Sequence, residues 1–207
     1  MEKMIKISKS AAVQFLATVF FLGFIGFSQE SLAAPSRSSP ASFSDLSRRC
    51  APEVPVSTMK ALVATESGFN PFAIGVVGGR VRQPKSAAEA DAAVKALDAQ
   101  GFNYSVGLAQ INLKNFDRFG LTRESAFDPC LNLSTGALIL SECYASTAKS
   151  LTEAGRLSQA LSCYYSGSRT SPAGHQYANR VARSAGIRTA IPPSLESLPE
   201  KDTHQVF

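Results

Sequence analysis

Any fold of this 207-residue chain has to pair four cysteines or leave reactive thiols behind an export leader. Cys50, Cys130, Cys143 and Cys163 all follow residues 1–33, which read as a secretory signal. Lys3, Lys6 and Lys9 give a positive start, Ala11 to Phe27 is almost wholly apolar, and Ser31-Leu32-Ala33 offers small residues where a signal peptidase reads. An apolar run of 17 residues is at the short edge for spanning a bilayer, which favours cleavage after Ala33 over a retained anchor. Export into an oxidising compartment makes two disulfides the expected use of an even cysteine count, with three connectivities open. Cys143 and Cys163 fall on neighbouring helical segments, and Cys50 and Cys130 each open a segment, which favours 50–130 and 143–163. Zinc is the competing use, but there is no Cys-x-x-Cys pair, and His175 and His204 are late and isolated.

The exported part divides by composition. Residues 34–49 are Pro- and Ser-rich and read as a flexible linker, and a globular domain is expected over 50–188. From Thr189 onward, Pro192, Pro193 and Pro199 among mixed charges argue for a tail, 189–207, without a core of its own. Inside the domain, Ser57 can cap a helix that carries Glu66 near its end. Phe72 to Gly79 mixes β-branched residues with glycines and suggests a short hairpin or irregular strand pair. Ser86-Ala-Ala-Glu89 is a capping-box pattern ahead of Ala90, Val94 and Leu97 at helical spacing, ending at Gly101. Tyr104, Val106, Leu108 and Gln110 alternate, as in an extended strand or loop, and Gly107 permits close approach of a neighbouring chain or ligand. Asp128-Pro129 and Asn132 signal a helix running to about Lys149, followed by helices over roughly 157–166 and 175–186. The sum is a single α+β domain, mostly α.

Glu66 is the side chain in this pattern with chemical interest. Met59, Leu62 and Val63 precede it by seven, four and three residues, so helical periodicity puts all four on one face. Gly68 suits the helix end and Asn70-Pro71 stops continuation. A carboxyl on an apolar face resists ionisation, as a general acid at neutral pH requires. Spacing alone equally allows a terminal Glu turned back to water. The net charge of +5 suits an anionic polymer, yet no basic run exceeds Arg48-Arg49, which argues against a nucleic-acid footprint.

Four segments in order then carry a resemblance. Glu66-Ser67, Gly107-Leu-Ala-Gln-Ile111, Tyr164-Tyr-Ser-Gly167 and Tyr177-Ala-Asn-Arg-Val181 resemble the ordered motifs of soluble lytic transglycosylases, which cut the glycan of bacterial peptidoglycan. Cys50-Ala-Pro52, Gln83-Pro84, Asp128-Pro-Cys130 and Cys143-Tyr144 are most similar to the small transglycosylases of type IV secretion and conjugation systems. The resemblance covers about residues 50–185 and implies a lysozyme-like fold with a small β element beside the cleft. It implies that Glu66 is the single catalytic acid/base and that Ser67 helps place the substrate. It also implies that Gln110 lines the glycan groove and that Tyr164 and Tyr177 stand near the carboxyl. Read without the family, Gln110 can instead satisfy buried backbone, and the tyrosines can simply pack. Two departures stand out. Ala109 replaces a usual Met, which should widen the groove floor, and Tyr165 replaces a usual Asn, where a core role is as open as a substrate contact.

The implied reaction cleaves the bond between N-acetylmuramic acid and N-acetylglucosamine and closes a 1,6-anhydro ring on the muramyl sugar, with no metal or organic cofactor. A hydrolase would need a second carboxylate, for which Asp117 and Asp128 are the nearest candidates. A non-catalytic peptidoglycan-binding assembly factor is the alternative of a different class. The expected setting is a periplasmic monomer without a stable membrane span after signal cleavage. Its expected partners are glycan strands and protein subunits of an envelope-spanning secretion system, with no nucleic acid.

Overall fold

The computed structural model of the chain describes residues 42–186. The expected leader and tail, and the first part of the expected linker, lie outside the described residues. Among the described residues, seven α-helices and three short strands follow in the order α1 (Phe43–Cys50), α2 (Val56–Glu66), β1 (Ile74–Val76), α3 (Ala87–Ala99), β2 (Tyr104–Val106), β3 (Ile111–Asn112), α4 (Phe116–Phe119), α5 (Pro129–Ala145), α6 (Glu153–Ser166) and α7 (Pro172–Ser184). The mostly helical α+β reading is the observed class.

The first correction concerns α1, which occupies the end of the stretch expected as linker. Ser42 accepts from the Asp45 amide while the Asp45 carboxylate accepts from the Ser42 amide, a reciprocal cap. The Ser-rich composition hid this signal. Burying Ser47 and Cys50 then ties α1 to the domain. A second correction concerns Ser57, the expected cap of α2. It is exposed within the first turn, and Pro55 stands at the N-cap with no side-chain hydrogen bond. Half of the expected capping box at α3 forms: Ser86 accepts from the Glu89 amide, but the Glu89 carboxylate accepts from the Lys85 amide instead of that of Ser86, while Asp128 accepts from the amides of Cys130 and Leu131. Helix α5 stops at Ala145, short of Lys149, and α7 starts at Pro172 under a Ser171 cap, ahead of His175.

The β element also differs from expectation. Residues 72–79 do not fold on themselves. β1 pairs antiparallel with β2, Ile74 opposite Val106 and Val76 opposite Tyr104, and β2 pairs with β3. The free edge of β1 is covered by one side chain, because Gln83 accepts from the Ile74 amide at 3.0 Å and donates to the Ile74 carbonyl at 2.8 Å. This is an edge satisfied without a fourth strand.

Gly107 opens the β2–β3 turn at φ +81°, and a Cβ there would lie 2.2 Å from the Asn132 side-chain nitrogen. What approaches Gly107 is the side chain of Asn132 from α5. Asn132 is fully buried and donates to the carbonyls of Val106 (2.9 Å) and Ala126 (2.8 Å) while accepting from the Ala109 amide (2.7 Å). One side chain thus fastens the hairpin tip to the long helix.

Cys50–Cys130 joins α1 to the start of α5, and Cys143–Cys163 joins α5 to α6, the connectivity expected from the segments. The two bridges span 80 and 20 residues. In the chain-entropy account these stabilise by about 4.5 and about 3.3 kcal/mol. Denaturant titration of the paired Cys→Ser variants should show the larger loss for the Cys50–Cys130 pair.

Candidate active site

Glu66 closes helix α2 on the buried stripe it shares with Met59, Leu62 and Val63, all three essentially inaccessible. Beyond it the chain leaves the helix abruptly, with Gly68 at φ +56° and Phe69 at φ +66°. A left-handed Phe is costly, and its ring is held edge-on against Phe43 of α1 at 5.1 Å. This turn keeps Glu66 as the last helical residue, facing α6 and α7.

The carboxyl is buried, with 8% of its residue surface exposed. The Tyr177 hydroxyl donates to its Oε1 at 2.5 Å, while Oε2 makes no hydrogen bond with any described residue. Burial pushes the Glu66 pKa up to about 7, partly opposed by the Tyr177 hydrogen bond and the Arg180 charge. Burial and the nearby carboxylate hold the Tyr177 hydroxyl well above its ordinary range, so it stays a neutral donor. The result is a buried carboxyl with one oxygen clamped and the other without a hydrogen bond from any described residue, poised near neutrality.

The other residues implied by the resemblance are brought close, but several face inward. Tyr164 is fully buried, and its hydroxyl donates to the Ala109 carbonyl at 2.6 Å, bracing the β2–β3 turn against α6. Gln110 is 2% exposed, and its amide donates to the carbonyls of Ala73 (3.1 Å) and Gly107 (3.0 Å). Those bonds support Gln110 in its own left-handed conformation, φ +50°, and satisfy buried backbone. Ser67 is half-buried and its hydroxyl donates back to the Val63 carbonyl at 3.2 Å. Ala109 corrects an expectation. It is fully buried against α5, where a Cβ on Gly136 would come within 2.6 Å of its methyl, so its small size serves helix packing and does not widen a groove.

Tyr165 stacks on Tyr177 with ring centroids 4.8 Å apart and planes 12° from parallel. The phenol that replaces the usual Asn therefore backs the ring whose hydroxyl holds Glu66. Spacing did not single out Arg180, whose guanidinium carbon lies 5.6 Å from both ring centroids. The signal was available, since Arg180 follows Tyr177 by three residues on one helical face. Of the candidate second carboxylates, Asp128 is engaged in capping α5, and Asp117 is exposed on α4. Among the described residues, Glu66 is the one buried carboxylate.

Residues 46–185 match the family described as Transglycosylase SLT domain. The chain belongs to that family. It is also similar to the type IV secretion system protein virB1 of Brucella suis, 44% identical over 166 residues, covering 75% of this chain and 70% of that protein. Protein virB1 of Agrobacterium fabrum is 33% identical over 164 residues, covering 78% and 65%. Protein virB1 of Rhizobium radiobacter is 32% identical over 183 residues, covering 87% and 74%. No solved structure matches the chain. The family's lysozyme-like layout, helices around a small sheet, is the arrangement described above.

Three variants probe the clamp on Glu66. Tyr177→Phe removes a hydrogen bond that favours the ionised form, so Glu66 should stay protonated to higher pH. The basic limb of the kcat/KM profile for glycan cleavage should move upward and the maximum should fall about tenfold. Tyr165→Asn, which restores the usual family residue but removes the stacked face, should move the limb the same way by less. Tyr165→Phe, which keeps the stack, should retain the position of the limb.

Proposed function

We propose that this protein is a peptidoglycan lytic transglycosylase using Glu66 as acid and then base. The observation that carries the reading is a lone buried carboxyl with a pKa near 7, one oxygen held by Tyr177 and the other unengaged. Two-carboxylate glycosidases place their second group within about 10 Å of the first, and no buried partner accompanies Glu66 among the described residues. In the first step, protonated Glu66 gives its proton to O4, the oxygen linking muramyl C1 to C4 of N-acetylglucosamine. The C1–O4 bond breaks, and the substrate's acetamido group stabilises the cation at C1. In the second step, the Glu66 carboxylate takes the proton of the muramyl C6 hydroxyl, and O6 bonds to C1. The products are a 1,6-anhydro end and a free C4 hydroxyl; Glu66 is protonated again and no water is consumed.

The biological reading follows the relatives named for a type IV secretion system. The enzyme would open the wall locally so that an envelope-spanning channel can be assembled. Two disulfides support an oxidising, periplasmic setting reached through the leader at residues 1–33. Incubation of the purified protein with sacculi, followed by mass analysis of the released fragments, tests the chemistry. Anhydro-muramyl ends lost in Glu66→Gln are the expected result. Reducing ends would indicate a hydrolase working with Asp117 or another carboxylate, and intact sacculi with retained binding would indicate an assembly factor.

A further inference from the structure

Arg180 is half-buried on α7 beside the acid, yet among the described residues no carboxylate lies within salt-bridge distance of it. Its position is informative. The rings of Tyr165 and Tyr177 are nearly parallel, and the guanidinium carbon is equally far from both centroids. Contact with the rings at that distance engages the π face of the guanidinium but none of its N–H donors. The charged group whose field it shares is Glu66, held by the Tyr177 hydroxyl at the same stack. The other groups around the carboxyl, Tyr164 and Tyr177, are neutral phenols. The structure therefore keeps one cation, not engaged in any ion pair among the described residues, next to a carboxyl that has to be protonated to act.

We propose that Arg180 recognises a carboxylate carried by the substrate beside the scissile bond, and so sorts muramyl glycans from neutral N-acetylhexosamine chains. This rests on the glycan-cleaving reading of Glu66 and adds to it the anionic feature that is selected. Alternate sugars of the glycan carry a lactyl ether at C3, on the same ring as the C1 that Glu66 addresses. That substituent presents a carboxylate directly when unsubstituted, or through its peptide when substituted. A planar guanidinium with five donors is suited to either carboxylate, and this half-buried guanidinium is engaged in no ion pair with a described residue. Arg180 is thus a specificity residue, while proton transfer stays with Glu66.

The test uses the full chain bearing Glu66→Gln, with and without Arg180→Gln, titrated calorimetrically with three glycan tetramers. One is peptide-free muramyl glycan, the second carries stem peptides, and the third is neutral N-acetylglucosamine tetramer. Arg180→Gln should weaken binding of at least one muramyl ligand by about tenfold and leave the neutral ligand within about twofold. Loss confined to the peptide-free ligand identifies the lactyl carboxylate; loss confined to the other identifies the stem peptide. Equal loss for all three ligands, or no loss, overturns the proposal. Arg180→Lys should retain part of the discrimination. Raising salt should weaken muramyl binding to the Glu66→Gln protein more than neutral binding, a measurement that needs no change at Arg180. A protein that discriminates through Arg180 but whose wild type releases no anhydro ends would overturn the lyase reading alone. A Glu66→Gln protein that binds no glycan overturns this proposal.

Discussion

Glu66→Gln should abolish release of anhydro ends, by about 1000-fold or more, while leaving the protein folded and more stable at alkaline pH. Gln has nearly the same shape and can still accept the Tyr177 hydroxyl through its carbonyl, so the clamp survives without a transferable proton. The stability effect has a definite sign. An unfolded Glu ionises near 4.5, whereas burial raises Glu66 to about 7 in the native state. Between those values the folded protein holds a proton that the unfolded chain has released. The contribution is fully present below about 4.5 and is lost as pH rises through about 7. Its size is about 3 kcal/mol at most. Gln does not titrate, so unfolding of the variant should lack this descent, and its advantage over wild type should be greater at pH about 8 than at about 5. A variant with the wild-type pH dependence of stability would show that Glu66 is not buried as described.

The largest structural effect is expected from Asn132 and Gly107, which face each other at the hairpin tip. Asn132→Ala removes partners from two buried carbonyls and one buried amide at once, those of Val106, Ala126 and Ala109. Leaving such groups unsatisfied costs about 1–3 kcal/mol each, so a loss of several kcal/mol is expected in denaturant unfolding. Asn132→Asp should also be damaging, because a carboxylate would face the same two carbonyls. Gly107→Ala combines a left-handed φ with a Cβ placed 2.2 Å from the Asn132 nitrogen and should destabilise by a similar amount. The two sites share contacts, so the double variant should lose less than the sum of the singles. Activity should fall with them, since the Ala109 carbonyl of this turn is the support for Tyr164.

Several elements were legible because their signals are local. The stripe of Met59, Leu62 and Val63 ahead of Glu66, the Ser86 cap and the Asp128-Pro129 start all act within one or two helical turns. Helix α1 was missed although its Ser42 and Asp45 cap is equally local, because the surrounding serines and prolines outweighed a single capping pair. The strand partner of β1 was missed for a different reason. Ile74 to Val76 pairs with Tyr104 to Val106 across the whole of α3, and no pattern within 72–79 specifies a partner that distant. The site followed the same division. Glu66 and Tyr177 could each be named from their segments, but nothing local distinguishes a groove-lining Gln110 from one that holds backbone carbonyls.

By itself the sequence determined that α2, α3, α5, α6 and α7 exist, which carboxyl rides on an apolar face, and the family to which these motifs belong. It also favoured a cysteine pairing that the fold adopts. Only the tertiary structure decided that Tyr177 clamps one Glu66 oxygen, that Tyr165 backs that ring and that Arg180 lies within 5.6 Å of both ring centroids. It also decided that Gly107 yields to Asn132 and that Ala109 packs on α5. Nearly all of these contacts join separate elements of the chain, and their energy arises from burial and short hydrogen bonds that exist only after α2, α6, α7 and the hairpin have closed on one another.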